Sequence, residues 1–246
     1  SKLTVKDSNG RITTSGAALG TANNVDHWQE IVGLMMAQAG DNYNAAALGY
    51  YTSFGTQRIW DETLDNSTLA FANGKVAMYF GPSWRYFDIK AINPNLNFHI
   101  VSVPQLAGGK KVNYATFWAE GVSTKSPNKQ AAFDFLKFLS SKDELTKLYA
   151  AEAKIRGFGE PYSRVDMAPL LTSDPAVGPF IAAAPTATSW YLASGTFDGD
   201  TGPNSRVGKY YLDAINSILK GSDPKSALGT VQKGVSQVLQ SYGTPK

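Results

Sequence analysis

Twenty residues constrain this chain more than any others: Ser67 to Tyr86, STLAFANGKVAMYFGPSWRY. Leu69, Ala70 and Phe71 form an apolar patch, and Asn73-Gly74 follow where a helix stops with a residue at positive φ. Val76-Ala77-Met78-Tyr79-Phe80 is then a continuous apolar run bounded by turn residues, the pattern of a strand buried on both faces. Its carboxyl end breaks at Gly81-Pro82-Ser83 and presents Trp84, Arg85 and Tyr86. A helix, a turn, a buried strand and an aromatic at the strand's end is how open α/β sheets build ligand sites. Trp84 therefore has two readings: it meets a ligand, or it plugs the core beneath the next helix.

The rest of the chain narrows the class. A chain of 246 residues buries roughly 70–75% of its unfolded surface, enough for one large domain or two small ones. A hydrophobic content of 43% with 17% charged residues is that of an ordinary globular protein. The formal charge of +3 comes from scattered lysines and arginines, which argues against a nucleic-acid partner. No apolar run is long enough to span a bilayer, and a signal peptide is expected to lie upstream or to have been removed. Cysteine is absent, which excludes thiol catalysis, disulfides and thiolate metal sites.

Taken in order, Leu3 to Thr14 reads as a hairpin around Asn9-Gly10. Asn23 or Asn24 caps a helix with Val25, Trp28, Ile31, Val32, Met35 and Met36 inside, ended by Gly40. Asp41 to Asp65 reads as an aromatic loop with room for a short helix, and Asn66 as a helix cap. Phe87 to Lys90 begins a short helix stopped before Asn93-Pro94. Phe98–Val103 and Tyr114–Val122 read as strands. A helix follows Ser126-Pro127, with Ala132, Phe135, Leu136 and Leu139 on its buried face, and Ser141 to Glu144 is a capping box. Two short helical pieces, around Met167–Leu171 and Val177–Ala184, precede the long loop Thr186 to Asn204. A structureless loop of that length is usually functional. Ser205 and Asp223-Pro224 open the last two helices.

Enzymatic signatures are missing. His27 is placed on an exposed helical side and His99 on a strand; neither G-x-S-x-G nor H-E-x-x-H occurs. S-x-x-K occurs from Ser126, Ser217 and Ser222 without the companion motifs of a serine acyl-enzyme. Glu120 and Asp198 are the pair a glycosidase reading would use. Asp198-Gly199-Asp200 departs from a calcium loop at Gly202 and Pro203. No metal and no cofactor is expected.

Three blocks carry a resemblance. FANGKVAMYFGPSWRYFDI is similar to the block of the extracellular solute-binding proteins of sugar-type ABC importers, maltose-binding-protein-like, in which F-x-x-G-x-x-A-M precedes a G-x-W turn. NFHIVSVPQLAGGKKVNYATFWAEGVSTKSPNKQAAFDFLKFLSS and YYLDAINSILKGSDPKSALGTVQKGVSQVLQ resemble the family's following blocks, in the same order. The resemblance implies an α/β fold, a periplasmic-binding-protein type II-like lobe with the N-terminal lobe largely missing. It divides the chain into 1–101, the first part of a C-lobe; 102–157, a segment returning into the N-lobe; and 158–246, the closing helices of the C-lobe.

The implied function is extracytoplasmic capture of a carbohydrate and its delivery to a membrane permease by hinge closure, in a periplasmic protein or a cell-surface lipoprotein. A non-transport carbohydrate-binding or adhesion module is the alternative, and a glycoside hydrolase a third. Trp84 is implied as a plane that stacks on sugar. Trp118 either adds a second plane or fills space, and Glu120 either accepts sugar hydroxyls or faces solvent. Trp190, Asp198 and Asn204 are implied to edge the cleft, an aromatic beside carboxylate and amide groups that suits neutral polyols. The face of Ala132, Phe135, Leu136 and Leu139 is expected to be partly uncovered, so that the chain self-associates or is locally disordered over 102–157.

Overall fold

The computed structural model describes residues 2–41, 43–190 and 198–243. The chain divides into two compact units: residues 1–96, 104–114 and 187–246 form the first, and residues 97–103 and 115–186 the second. The expected segment 102–157 has its residues in both.

The first unit opens with a hairpin, β1 (Val5–Lys6) against β2 (Ile12–Thr14). Asp7 accepts from the Asn9 and Arg11 amides across the turn at Gly10. Helix α1 (Trp28–Ala39) ends on Gly40 at φ 91. Helix α2 (Ala45–Thr56) fills much of a stretch expected to be loop with room for only a short helix. Asn44 caps it by accepting from the Ala47 amide at 2.9 Å, a signal that the two glycines and many aromatics obscured. Gly55 serves close packing there: a β-carbon would lie 2.5 Å from Leu219.

Helix α3 (Ser67–Ala72) is capped by the Asn66 side chain, and Gly74 turns the chain at φ +70. The run after it is not a strand buried on both faces. Val76 alone forms a parallel bridge, to Ser15, extended by bonds from the Ala77 amide to Ser15 and from the Ala18 amide to Met78. Val76 is buried but Ala77 and Met78 are exposed, because the run lies at an edge. Helix α4 (Arg85–Ile92) follows. Of the expected strand from Tyr114, only β3 (Asn113–Tyr114) forms, parallel to β4 (Ala187–Thr188).

Helices α8 (Pro203–Leu219) and α9 (Pro224–Ser241) complete this unit. Val207, Tyr211, Ala214, Ile215 and Ile218 of α8 meet Ala227, Leu228, Val231, Val235 and Val238 of α9 in one core, which α1 and α2 share. At their crossing a β-carbon on Gly234 would lie 2.3 Å from the Tyr210 ring, so only glycine fits there. Two aromatics centre the core. The Tyr51 hydroxyl donates to the Thr21 carbonyl, and the Trp60 indole donates to Asn24 and Thr21, so their polar ends are satisfied.

In the second unit, residues 98–103 and 115–122 contain no strand, and Val101, Phe117 and Trp118 are exposed. Helix α5 (Lys129–Leu139) has the expected periodicity yet buries no residue fully. Phe133, Phe135 and Phe138 stand more than half exposed. Of the face expected to be partly uncovered, Phe135 is thus more than half exposed and Ala132, Leu136 and Leu139 are half-buried, so it is partly uncovered. Helix α6 (Lys142–Arg156) is capped by Ser141, which accepts from the Glu144 amide as the capping box requires. Beyond it Phe158, Met167, Leu171 and Val177 are buried, around a 3₁₀ turn (Val165–Leu170) and α7 (Gly178–Ala183).

Candidate functional site

The turn at Gly81-Pro82-Ser83 places Trp84 as the N-cap of α4, with the Arg85 amide bonded to Pro82 and the Tyr86 amide to Ser83. The half-buried Trp84 ring meets the His27 ring edge-on, centroids 6.2 Å apart at 74°. Arg85 donates from Nε to His27 Nε2 at 2.9 Å and from Nη1 to Asp88 Oδ2 at 2.8 Å. That donor needs a lone pair on Nε2, so the imidazole proton lies on Nδ1 and is donated to Glu30 Oε1, 3.1 Å away. His27 is therefore not on an exposed helical side. It is the residue preceding α1, held from three directions.

Asp26, Asn66, Thr68 and Tyr79 form a chain of hydrogen bonds next to His27. Asp26 accepts from Asn66 Nδ2 at 2.7 Å and from the Thr68 amide and hydroxyl. Burial works to raise the Asp26 carboxyl, but the bonds from Thr68 and Asn66 and the Arg85 charge outweigh it and hold it below the usual carboxylate value. The Thr68 hydroxyl, already donating to Asp26, accepts from the Tyr79 hydroxyl at 3.0 Å. Burial pushes Tyr79 up to about 12, and its ring stacks on Phe71.

Trp190 lies further along α1. Its Cε3 would be 2.8 Å from a β-carbon on Gly33, and Tyr114 crowds the same glycine. The Tyr114 hydroxyl accepts from the Trp190 amide and donates to the Trp190 carbonyl, while the indole meets Tyr211 edge-on at 5.2 Å. Burial raises the Tyr114 hydroxyl well above its ordinary value, with the Glu30 charge adding to it. His27, just before α1, and Glu30 and Gly33 on it thus stand at three-residue steps, along about 9 Å of axis. Trp84 stands at one end of that row and Trp190 at the other.

Asp198 serves a helix terminus. It accepts from the Asn204 amide at 2.7 Å and from the Ser205 amide and hydroxyl, so Gly202 is the N-cap of α8 in place of Ser205. Burial opposes ionisation, but these bonds outweigh it and the carboxyl sits below its ordinary value. Asn204 contributes its backbone to this arrangement. Trp118 and Glu120 both belong to the second unit, and Trp118 is 90% exposed. The structure therefore brings Trp84 to His27, Glu30 and Arg85, packs Trp190 against α1, and pairs Asp198 with Asn204.

His27, Glu30, Arg85, Asp26 and Tyr114 were not singled out from the sequence as site residues. The one local signal was the His27–Glu30 spacing on a helix start. Among the described residues no group of three His, Cys, Asp or Glu side chains is placed to hold a metal. Surface hollows of about 270 and 230 Å³ lie near Ile59 and do not involve Trp84. They lack the aromatic plane with convergent polar groups that marks a small-molecule site.

The family model described as bacterial extracellular solute-binding protein matches residues 6–179. The chain belongs to this family. Among solved structures this solute-binding protein is similar to an ABC transporter solute-binding protein from Thermotoga lettingae bound with α-D-tagatose. There the identity is 19% and the TM-score 0.66, over 92% of this chain and 60% of that one. It is also similar to the maltose/maltodextrin-binding domain MalE from Bdellovibrio bacteriovorus bound to maltotriose, at 17% identity and TM-score 0.64, over 97% and 64%. A third relative, CpMnBP1 with mannotriose bound, gives 20% and 0.56, over 95% and 62%. No curated protein matches. The chain thus spans 60–64% of the length of these solved solute-binding proteins, with a helix-rich α/β fold that matches theirs. Among its described residues no helix is long and apolar enough to cross a membrane.

Proposed function

We propose that this solute-binding protein captures an extracellular carbohydrate and delivers it to the permease of an ABC importer by hinge closure. The observation that carries the reading is Trp84. An indole set at the turn into α4, half open, with Glu30, His27 and Arg85 bonded beside it, supplies an apolar plane next to donors and acceptors. A pyranose presents C–H groups on one face and hydroxyls around its rim, which is the complement of that arrangement. The sugars in the solved relatives are of the same class. Trp118, Glu120, Trp190, Asp198 and Asn204 are proposed as further ligand contacts in the full-length protein.

Calorimetric titration of the full-length protein with maltotriose, mannotriose and tagatose tests this. Trp84→Ala should weaken binding by about 1–3 kcal/mol with little change in melting temperature. If the fold collapses while affinity per folded molecule is unchanged, Trp84 is a core residue and the reading fails. Delivery is tested separately, by sugar uptake in cells that carry the permease with and without this protein.

A further inference from the structure

We infer that His27 is a positioning residue, which sets the plane of Trp84 through Arg85 and releases it when protonated. The inference rests on the proposed sugar site for its consequence, though not for its geometry. A residue preceding a helix ordinarily has extended backbone and caps with a short oxygen-bearing side chain. His27 does neither: φ is 60 and ψ 25, and its side chain makes no cap bond. It is one of two non-glycine residues at positive φ among the described residues. Histidine, like asparagine and aspartate, is among the non-glycine side chains that adopt this left-handed backbone most readily. The backbone therefore admits an imidazole without requiring one, and the case for a role rests on its contacts.

There are three of these contacts, and only an imidazole makes them together. Nδ1 donates to Glu30, Nε2 accepts from Arg85, and the ring edge meets Trp84. Arg85 opens α4 and Trp84 is its N-cap, so a guanidinium fixed between His27 and Asp88 fixes the indole one residue before it. A proton on Nε2 turns the acceptor into a donor and faces it with a cation. The Arg85 bond is then lost, and the indole loses its support.

The charged and titratable groups around His27 come from every neighbouring element. Glu30 on α1 lies 3.1 Å from Nδ1, and the Asp26 carboxylate just before the helix is engaged by Asn66 and Thr68. Arg85 on α4 faces Nε2 and is itself paired with Asp88. Tyr79 stands behind Thr68 and remains neutral. Acid is thus expected to loosen Trp84 and weaken sugar binding.

The test uses the full-length protein. Without sugar, the Trp84 indole N–H resonance, assigned with Trp84→Phe, is followed from about pH 8 to about pH 5, where histidine takes up a proton. It should move in the parent protein and stay still in His27→Gln, whose amide oxygen accepts from Arg85 and does not titrate. With maltotriose, mannotriose or tagatose, acidification should weaken the parent protein roughly five- to tenfold and leave His27→Gln flat. His27→Asn suits the backbone but is too short to reach Arg85. It should melt no lower than the parent and still bind more weakly at both pH values. An indole that does not respond to pH in the parent overturns the inference, as does parental affinity in His27→Asn. An indole that moves in a protein that binds none of these sugars would sustain the positioning role and sink the carbohydrate reading.

Discussion

Helices α9 and α5 carry the same kind of message in sequence and meet opposite fates. Each places large apolar side chains at three-to-four spacing, the signature of a helix that covers a core. On α9, Val231, Val235 and Val238 are essentially inaccessible, because α8 lies against them with Val207, Tyr211 and Ile215. On α5, the face at that spacing is Ala132, Phe135, Leu136 and Leu139, and none of the four is buried, with Phe135 more than half exposed. Periodicity states that a face needs a partner. It does not state that the partner lies within the same stretch of chain.

The contrast is broken or sharpened by substitution. Tyr211→Ala removes a buried ring shared by α1, α8 and α9, and should cost about 3–5 kcal/mol in denaturant unfolding. Phe135→Ala should stay within about 0.5 kcal/mol; equal losses at the two sites would erase the distinction. Gly234→Ala drives a methyl into the Tyr210 ring and should cost about 1–3 kcal/mol. A neutral result would mean that the α8–α9 crossing yields easily.

A smaller effect is expected where Asp198 ties down the start of α8. Its depressed carboxyl contributes stability that is complete above the ordinary carboxylate range and is lost as pH falls through the lower, folded value. Asp198→Asn should therefore lower the urea midpoint slightly at pH 7 and leave it unchanged near pH 2. A variant equally weakened at both would show that the charge is not the source. Finally, replacing Phe133, Phe135 and Phe138 by serine should leave stability nearly untouched while abolishing self-association of the 246-residue chain in sedimentation. A parent chain that sediments as a monomer would deny that these exposed rings are adhesive.

Helix ends were legible in part: His27, Asn128 and Gly202 stand at the caps expected of Asn23 or Asn24, Ser126 and Ser205. Gly40, Gly74, Asn66, Ser141 and Asp223-Pro224 act as read, since caps and positive-φ stops depend on neighbours a few residues away. Helix α2 was hidden because its glycines are there for close packing, a need that only the folded neighbours reveal. The apolar runs from Val76, Phe98 and Tyr114 promise strands, yet a strand depends on what lies beside it, and hydrophobicity names no neighbour. At the site the same rule holds. Trp84 could be picked out by the turn that carries it, whereas the bond from Arg85 to His27 joins residues 58 apart and leaves no local mark.

The pairing of β3 with β4 has a consequence for descent and for engineering. The strands are parallel with Asn113 opposite Ala187 and Tyr114 opposite Thr188, so the chain departs after Tyr114 and returns at Ala187 at points about 5 Å apart. Residues 115–186, the larger of the two segments of the second unit beside 97–103, thus leave and rejoin the first unit at adjacent points. A piece attached in this way can lengthen, shrink or be exchanged for another lineage's version while its host keeps its core. A short graft from Tyr114 to Ala187 is the natural place to attempt the same operation by hand.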